Sequence, residues 1–492
     1  MDSVRLDLPL IDKLAAVLRA SGFTPDAIRD ALNSQDDVLS RHAEIPVHIR
    51  RLDTRTPLHA LIQLFVLNVE IPVEHAGAAA GPLGLDGLVS LGLIAADGPV
   101  ARPLVRIIPH EELVIVSDLR LSPLDDAPAE HVVGVHRPSI TLACLTVRAK
   151  VRRALDLGTG SGIQAILTAK HADTVVATDV TQRAVDFTVF NARLNGTANI
   201  DARIGSWFEP VEGETFELIV SNPPYVISPE SRYIYRDSGM RGDSASEQVV
   251  RTAPRFLANG GFATVMVSWV ADPAATDATA PIRRWVEGTG CDAWLLHHRT
   301  DDPLTTASLW NEHLSRDPAR FAKVIEEWTA YYRDIGAEGI AYGAIVLRRR
   351  DDAPNWVKVD EIPAGRLTAA SAHIRRVFKA QDRLRALASD DAFLDFAPTM
   401  VTRHRIMQGS HAADGALVVD ETAVSLEEGL GFVAQVDRYT AAILPRLDGS
   451  TPLRRMLADA ARELGISKTE VGPFTAGGAG VVRRMYEAGF LE

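Results

Sequence analysis

Apolar strands alternate with helices between about residues 150 and 350, and this alternation constrains the fold more than any other feature of the 492-residue chain. Strands that are separated by helices pair in parallel, and helices then cover both faces of the sheet. The sequence therefore predicts a doubly wound α/β domain. The runs that we assign to strands are ALDL, TVVATD, IDARIG, ELIVSN, FATVMVSWV, DAWLLHHR and GIAYGAIVLRRR. One helix is predicted to end near residues 259–261, and a polar helical insertion is predicted at about 304–335.

The stretch RALDLGTGSGIQA places three glycines directly after the first of these strands. Gly158, Gly160 and Gly162 allow a sharp turn with positive φ and let a ligand lie against a backbone without a Cβ atom. A dinucleotide-binding loop would need a glycine at position 163, where this chain has Ile163. The spacing therefore favours S-adenosylmethionine over a dinucleotide, and Asp179, which ends the next strand, is the predicted acceptor for both ribose hydroxyls.

Taken in order, the segments LDLGTGSG, TD, GSWFEP and SNPPY resemble the class I S-adenosylmethionine-dependent methyltransferases. Within that family they are similar to the Asn-Pro-Pro-Tyr group, which methylates planar amino nitrogens. That group includes the release-factor glutamine N5-methyltransferases and the adenine-N6 and guanine-N2 methyltransferases of DNA and RNA. The resemblance covers about residues 135–350 and implies a Rossmann-like methyltransferase sheet with S-adenosylmethionine as its cofactor.

An element before the glycine loop brings the chain closest to the glutamine enzymes. Those enzymes carry Arg-Pro-x-x-Thr there, and this chain has Arg137-Pro138-Ser139-Ile140-Thr141, with Ile140 where they have a glutamate. In many relatives an acidic residue after the third strand contacts the adenine, and this chain offers Ser206 and Trp207 instead. The predicted cofactor-binding residues are Asp156, Gly158, Thr159, Gly160, Gly162, Asp179, Ser206, Trp207 and Asn222.

The corner Asn222-Pro223-Pro224-Tyr225 directly follows a buried strand, and we predict that it is catalytic. An amide or exocyclic amine is a poor nucleophile because its lone pair is delocalised. The Asn222 side-chain carbonyl and, by resemblance to the family, the Pro223 backbone carbonyl can hold its hydrogens and orient the lone pair. Prolines restrict the backbone and so fix these acceptors before a substrate arrives. The acceptors bind more strongly as positive charge develops on the nitrogen, and the Tyr225 ring is expected to stack on the planar group.

The segment YIYRDSGMRGDSASEQVV, residues 233–250, follows this corner and mixes aromatic, basic and acidic side chains. It is either a substrate lid or an ordinary solvated loop. In the lid interpretation Tyr233, Tyr235, Arg236 and Arg241 face the target. Arg137, in the Arg-Pro element, is a further candidate for substrate binding.

We divide the chain into three domains. Residues 1–134 form a mainly helical, winged-helix-like N-terminal domain, in which a helix precedes a predicted hairpin. A winged helix can read DNA, but this one lies in an acidic segment, which favours a packing, dimer or lid role. Residues 135–352 form the methyltransferase domain. Residues 353–492 form an α+β domain whose closing helices resemble a second winged-helix-like module.

Composition narrows the function further. The net charge is −12 and no segment is strongly basic, which disfavours a broad electrostatic grip on nucleic acid. The two cysteines exclude a cysteine-based zinc site, HEELV lacks the second histidine of a zinc helix, and no metal site is expected. No signal-peptide core is recognisable and no apolar run reaches the length of a membrane span, so we expect a cytoplasmic protein that does not bind a membrane.

The sequence favours methylation of a protein glutamine-type amide. The main alternative substrate is adenine or guanine in RNA or DNA, and a small metabolite is a further one. A different kind of alternative is a regulator that binds the cofactor and does not catalyse a reaction. The sequence does not address the oligomeric state.

Overall fold

A computed structural model of the protein describes residues 3–34, 44–119, 128–352, 354–363, 365, 367–387, 389–413 and 416–492. The chain forms two compact units. The first comprises Met1–Ala143 and Lys150–Asp360, and the second comprises Cys144–Ala149 and Glu361–Glu492. The sequence-based boundary between residues 134 and 135 falls inside the first unit, and the boundary at residue 353 falls on a position outside the described residues.

The N-terminal part of the first unit is mainly helical. Side chains cap its first two helices, because the Asp7 and Thr24 oxygens accept hydrogen bonds from the Leu10 and Ala27 amides. The described elements are α1 (Leu8–Ala20), α2 (Pro25–Leu32), α3 (Ile45–Ile49), α4 (Pro57–Leu61), β1 (Ile71–Pro72), α5 (Val73–Ala79), α6 (Gly84–Ser90), β2 (Ile94–Ala95), β3 (Val100–Pro103), β4 (Val105–His110) and β5 (Leu113–Asp118). A π-helical turn, Ile62–Val66, extends α4. Helix α6 precedes the antiparallel hairpin β2–β3, and β1 pairs with β3, which is the helix–hairpin order expected of a winged-helix unit.

The central sheet follows, and the predicted alternation of strands and helices is confirmed. Its elements are α7 (Arg137–Leu145), β6 (Val151–Leu157), α8 (Ile163–Ala169), β7 (Ala172–Asp179), α9 (Gln182–Leu194), β8 (Ile200–Ile204), β9 (Phe216–Ser221), α10 (Ser244–Thr252), β10 (Leu257–Ala271), α11 (Ala280–Val286), β11 (Cys291–Asp301), α12 (Pro303–Trp310), α13 (Pro318–Asp334), β12 (Gly339–Arg349) and β13 (Val357–Glu361). Helices α12 and α13 are the predicted polar insertion.

The eight strands lie in the order β13-β11-β12-β10-β9-β6-β7-β8. Strands β6 to β10 run parallel to one another, whereas β12 runs antiparallel to both of its neighbours, β10 and β11. Helices α8 and α9 pack in one apolar cluster, and α10 and α11 pack in another with inward-facing strand residues. The first unit is therefore an α/β fold whose parallel strands end at one common edge, where doubly wound sheets bind ligands.

The prediction that a helix ends near residues 259–261 is wrong. Helix α10 ends at Thr252, and residues 259–261 lie within β10. The pairing of β10 with β9 is irregular between Leu257 and Phe262, and Gly260 has a φ of +80° there. The glycine pair therefore serves a β-bulge and not the end of a helix.

The hairpin β4–β5 is attached to helix α9 by two asparagine side chains. The Asn191 amide accepts a hydrogen bond from the Val116 N–H and donates one to the Val116 carbonyl, each 2.8 Å long. Asn195 makes the same pair of bonds with Val114. Asn191 also donates to the carbonyl of Ser161, in the glycine loop, over 2.8 Å. One buried residue thus joins the hairpin, the helix and the loop.

The second unit combines helices with a three-stranded antiparallel sheet in the order β14-β15-β16. Its elements are α14 (Ser371–Ala386), α15 (Asp390–Phe393), β14 (His404–Ala413), β15 (Ala416–Leu426), β16 (Val433–Val436), α16 (Arg438–Ile443), α17 (Leu453–Glu463) and α18 (Val471–Glu487). Apolar side chains of α14, α17 and α18 form its core. The unit contains both helices and strands, and it ends with the two helices α17 and α18.

Among the described residues, no helix has both the length and the apolar character that crossing a bilayer requires.

Candidate active site

A cavity of about 420 Å³ lies at the carboxyl ends of strands β6 to β9. It is lined by residues from several segments that are distant in sequence. These segments fall within residues 130–139, 157–164, 178–184, 205–207, 221–224 and 231–239. Parallel strands end at the same edge, and the loops that follow them therefore meet around one space.

The glycine loop forms one wall of this cavity. Gly158 and Gly160 have φ values of +74° and +54°, and no described residue beyond the two chain neighbours has an atom within 4 Å of the position that a Cβ would take on either glycine. At Gly162, with φ of +80°, a Cβ would approach the Thr188 backbone to 3.0 Å. The first two glycines therefore keep the backbone accessible from the cavity, and the third lets α8 pack against α9.

Asp156 supports the loop from behind. Its carboxylate accepts hydrogen bonds from the Thr159 hydroxyl at 2.7 Å and from the Ala165 amide at 2.9 Å. The side chain is buried and does not line the cavity, although Thr159 does. Burial raises the pKa of Asp156 to about 7. The contacts of Asp156 are thus with the chain itself, at the start of α8.

Asp179 lines the cavity at the end of β7. One carboxylate oxygen accepts a hydrogen bond from the Gly160 amide at 3.0 Å, and the other accepts one from the Thr181 amide at 3.1 Å. Burial raises the pKa of Asp179, and the hydrogen bonds to the carboxylate oppose that rise. The carboxylate is held at a fixed place in the wall, where it can accept further hydrogen bonds from a ligand.

Ser206 and Trp207 also line the cavity, beyond the end of β8. The amide of Gly205 donates a hydrogen bond of 2.9 Å to the Asp179 carbonyl, which ties this loop to β7. Trp207 has a φ of +46°, a conformation that L-residues rarely adopt. Its side chain is half-buried and packs against the apolar cluster that includes β9 and α10.

Asn222, Pro223 and Pro224 form the wall after β9. The Asn222 Oδ1 atom is buried, and it has no hydrogen-bond partner among the described residues. A buried acceptor without a partner carries a desolvation cost of about 1–3 kcal/mol, and a donor from outside the described residues would offset this cost. Tyr225 does not line the cavity. Its carbonyl accepts a hydrogen bond from the Ser268 hydroxyl, and burial raises the pKa of its phenol.

The segment after this corner lies partly in the cavity wall. Tyr235 is among its lining residues, whereas Tyr233 and Arg236 are buried behind the wall. Arg241 is exposed and pairs with Asp334 at 2.8 Å. Arg137 is exposed at the first residue of α7. The structure therefore does not bring Tyr233, Arg236, Arg241 or Arg137 into the cavity lining.

Residues 130–136 supply a wall that the sequence analysis did not identify. His131 lines the cavity, and its ring lies 5.6 Å from that of Tyr235. Burial lowers the pKa of His131, whose Nδ1 is 3.9 Å from the Asp118 carboxylate. Asp118 in turn forms a buried ion pair with Arg183 of α9. The only signal for this wall in the sequence is its position directly before the Arg-Pro element.

Comparison with known proteins identifies two segments. Residues 139–270 match the family described as Methyltransferase small domain. Residues 20–104 match a family described as Domain of unknown function (DUF7059).

Three curated relatives are similar to the central part of the chain. The release factor glutamine methyltransferase of Xylella fastidiosa (strain 9a5c) is 35% identical over 133 residues, which are 25% of this chain and 48% of that protein. The protein of the same name from Escherichia coli (strain K12) is 28% identical over 189 residues, 31% of this chain and 67% of that protein. The ribosomal protein uL3 glutamine methyltransferase of Bradyrhizobium diazoefficiens is 35% identical over 127 residues, 23% of this chain and 39% of that protein. The chain thus spans about half the length of the first of these relatives.

Proposed function

We propose that this protein, whose central sheet is a class I methyltransferase domain, transfers a methyl group from S-adenosylmethionine to the side-chain amide nitrogen of a protein glutamine. The observation that carries the proposal is the buried Oδ1 atom of Asn222, a cavity-lining residue, because this atom has no hydrogen-bond partner among the described residues. The relatives that act on glutamine in a release factor or a ribosomal protein support the choice of substrate.

The cavity fits the proposed cofactor. Around Gly158 and Gly160 the space that a Cβ would occupy is open, so a ligand can lie directly against the loop backbone. Asp179 is held in the same wall and can accept hydrogen bonds from two adjacent hydroxyls. Ser206 and Trp207 would contact the base. When bound, S-adenosylmethionine supplies an electrophilic methyl group.

Asn222 provides the chemistry on the acceptor side. An amide N–H that donates to its Oδ1 atom would fill the missing hydrogen bond and so restrain the orientation of the nitrogen lone pair. The two prolines hold this corner, so little reorganisation is needed when the acceptor binds. As the nitrogen gains positive charge, the hydrogen bond to Asn222 strengthens, and positioning supplies much of the rate acceleration. The products are an N-methylamide, the demethylated cofactor and one proton released to water.

The test is methyl transfer from radiolabelled S-adenosylmethionine into a lysate of a strain that lacks this protein. Portions of the labelled lysate are treated with RNase, DNase or protease. Label that is lost only with protease, and that is recovered as N5-methylglutamine after digestion, supports the proposal. Label that is lost with a nuclease assigns the activity to a nucleobase. If no macromolecule is labelled while the purified protein binds the cofactor, the acceptor is a small metabolite or the protein is a regulator.

A further inference from the structure

The insertion between β11 and β12, made of α12 and α13, contacts the segment that follows the catalytic corner. We call residues 231–239, most of which line the cavity beyond Pro224, the acceptor wall. The Tyr332 hydroxyl of α13 donates to the Ile227 carbonyl at 2.9 Å, just before this wall. The Tyr331 hydroxyl accepts a hydrogen bond of 2.8 Å from the Gly242 amide, just after it. Helix α13 therefore holds both ends of the acceptor wall.

Arg236 joins the middle of the wall to the insertion. Its guanidinium donates to both carboxylate oxygens of Asp237, at 2.8 and 3.1 Å, and to Glu230 at 3.1 Å. A further hydrogen bond of 3.1 Å reaches the Trp310 carbonyl at the end of α12. The guanidinium also lies 5.1 Å from the Trp328 ring of α13. A planar group with five donors is suited to such a set of fixed acceptors.

Trp328 of α13 provides a further link between the insertion and the acceptor wall, through Glu230. It is fully buried, and its indole N–H donates to Glu230 at 3.0 Å. Glu230 thus receives hydrogen bonds from α13 through Trp328 and from the wall through Arg236. Asp237, the other partner of Arg236, lies in the cavity lining and also accepts from the Ser228 hydroxyl at 2.8 Å. The position of a cavity-lining residue is therefore set by the side chains of Arg236 and Ser228, which are not among the lining residues.

We infer that the α12–α13 insertion is a specificity element, and that Arg236 is a positioning residue that fixes the acceptor wall for the amide substrate. The inference rests on the proposed function for the nature of the acceptor. The glycine loop and Asp179 lie on a different wall, so the inference concerns acceptor recognition and not cofactor binding. Selectivity should be sensitive to the wall because one methylene in a fitted site changes discrimination by about 10–200-fold.

The experiment uses the full chain and two capped amino acids that differ by one methylene, N-acetylglutamine methylamide and N-acetylasparagine methylamide. The variants are Arg236→Lys, which keeps the charge but loses the planar fork, and Trp328→Phe, which keeps the packing but loses the indole donor. The matched control is Trp294→Phe, because Trp294 donates a similar bond of 2.7 Å to Asp360 on β13, away from the wall. Three quantities are measured: the ratio of kcat/KM for the two probes, hydrogen exchange of residues 226–242, and affinity for S-adenosylhomocysteine.

Both wall variants should lower the glutamine-to-asparagine ratio at least fivefold and speed the exchange of residues 226–242 at least fivefold. Affinity for S-adenosylhomocysteine should stay within twofold, and the control should change none of the three. The inference would be overturned if the glutamine-to-asparagine ratio and the exchange rate of both variants stay within twofold of the values for the unmodified protein. A fall in melting temperature alone would not support it, because a loss of stability lowers the rates for both probes equally. If the unmodified protein methylates neither probe, an isolated capped amide is not an acceptor, and the exchange of residues 226–242 alone then decides the inference: a rate that stays within twofold in both variants overturns it.

Discussion

Asn222 is the residue on which the proposed chemistry depends most, because its side-chain oxygen is a buried acceptor without a partner in the described chain. Asn222→Ala should abolish methyl transfer, since the substrate nitrogen loses the group that orients it. Cofactor affinity should change by no more than a few fold, as measured by calorimetry with S-adenosylhomocysteine. Loss of cofactor binding in this variant would mean that the assigned role is wrong.

Asp179 offers the corresponding test of the cofactor side. Asp179→Ala should weaken cofactor binding by roughly 1.5–3 kcal/mol, the scale of a hydrogen bond to a charged group. Asp179→Asn should lose less cofactor affinity than Asp179→Ala, because its remaining side-chain oxygen can still accept a hydrogen bond from the Gly160 amide and hold the glycine loop. Calorimetric titration of both variants measures the difference. Equal affinity in Asp179→Ala and the unmodified protein would contradict the role.

Asp156 should make the stability of the first unit depend on pH. Burial raises its pKa to about 7 from a usual 3.8, so the folded protein holds this proton more tightly than the unfolded chain does. The contribution of Asp156 to the free energy of unfolding is then fully present below pH 3.8 and is lost as the pH rises towards 7.

Asp156→Asn removes this titration while keeping an oxygen for the Thr159 and Ala165 donors. Relative to the unmodified protein, the variant should gain roughly 1–3 kcal/mol in the free energy of unfolding between pH 5 and pH 7. Urea unfolding at the two pH values measures this gain. If the free energy of unfolding changes with pH by the same amount in both proteins, the Asp156 carboxyl group does not titrate in this range.

The sequence identified which residues surround the site better than it identified which way their side chains point. Strand and loop order placed the glycine loop, Asp179 and Asn222 correctly at one edge, and these residues do line one cavity. Asp156 was assigned to cofactor binding because it comes two residues before the glycine loop, and Arg236 was directed towards the target only in the lid interpretation. Both are buried behind the cavity lining, since charged groups beside a loop can equally satisfy backbone amides or pair with another carboxylate.

At the scale of elements, the attachment of hairpin β4–β5 to helix α9 should contribute strongly to stability. Asn191→Ala leaves the Val116 N–H and carbonyl and the Ser161 carbonyl without their partner in a buried place. We expect a loss of roughly 2–4 kcal/mol in the free energy of unfolding, measured by urea denaturation. Asn195→Ala is the matched control, because that residue is partly exposed and water can replace its bonds. A larger loss in the control than in Asn191→Ala would contradict this account.

Strand and helix order could be predicted here because buried strands and amphipathic helices carry local periodicity. The contacts between residues that are distant in the sequence could not be predicted. Nothing in the polar insertion reveals that Tyr332 reaches the backbone beside the Asn-Pro-Pro-Tyr corner, since that contact joins residues 105 positions apart. The end of α10 was misplaced because Asn259-Gly260-Gly261 is equally typical of a helix end and of a bulge.

At the scale of the whole molecule, every residue that lines the cavity belongs to the first compact unit. Saturation with S-adenosylhomocysteine should therefore slow hydrogen exchange in residues 130–136, 157–164, 178–184, 205–207 and 221–224. Residues 361–492 should exchange at the same rate with and without the ligand. Mass spectrometry of peptic fragments provides the measurement, and ligand-dependent protection in residues 361–492 would show that the second unit takes part in binding.

The paired asparagines of α9 have a consequence for how separate copies of this chain meet. The edge of β5 that faces away from β4 presents the N–H and carbonyl groups of Val114 and Val116, which an unrelated extended chain could otherwise pair with. Two side-chain amides, one on α9 and one four residues later at the residue that caps it, reproduce the bonding of a neighbouring peptide backbone. They occupy the edge without adding a strand, and a hairpin rich in valine and isoleucine is thereby closed to the sheet growth that leads to aggregation.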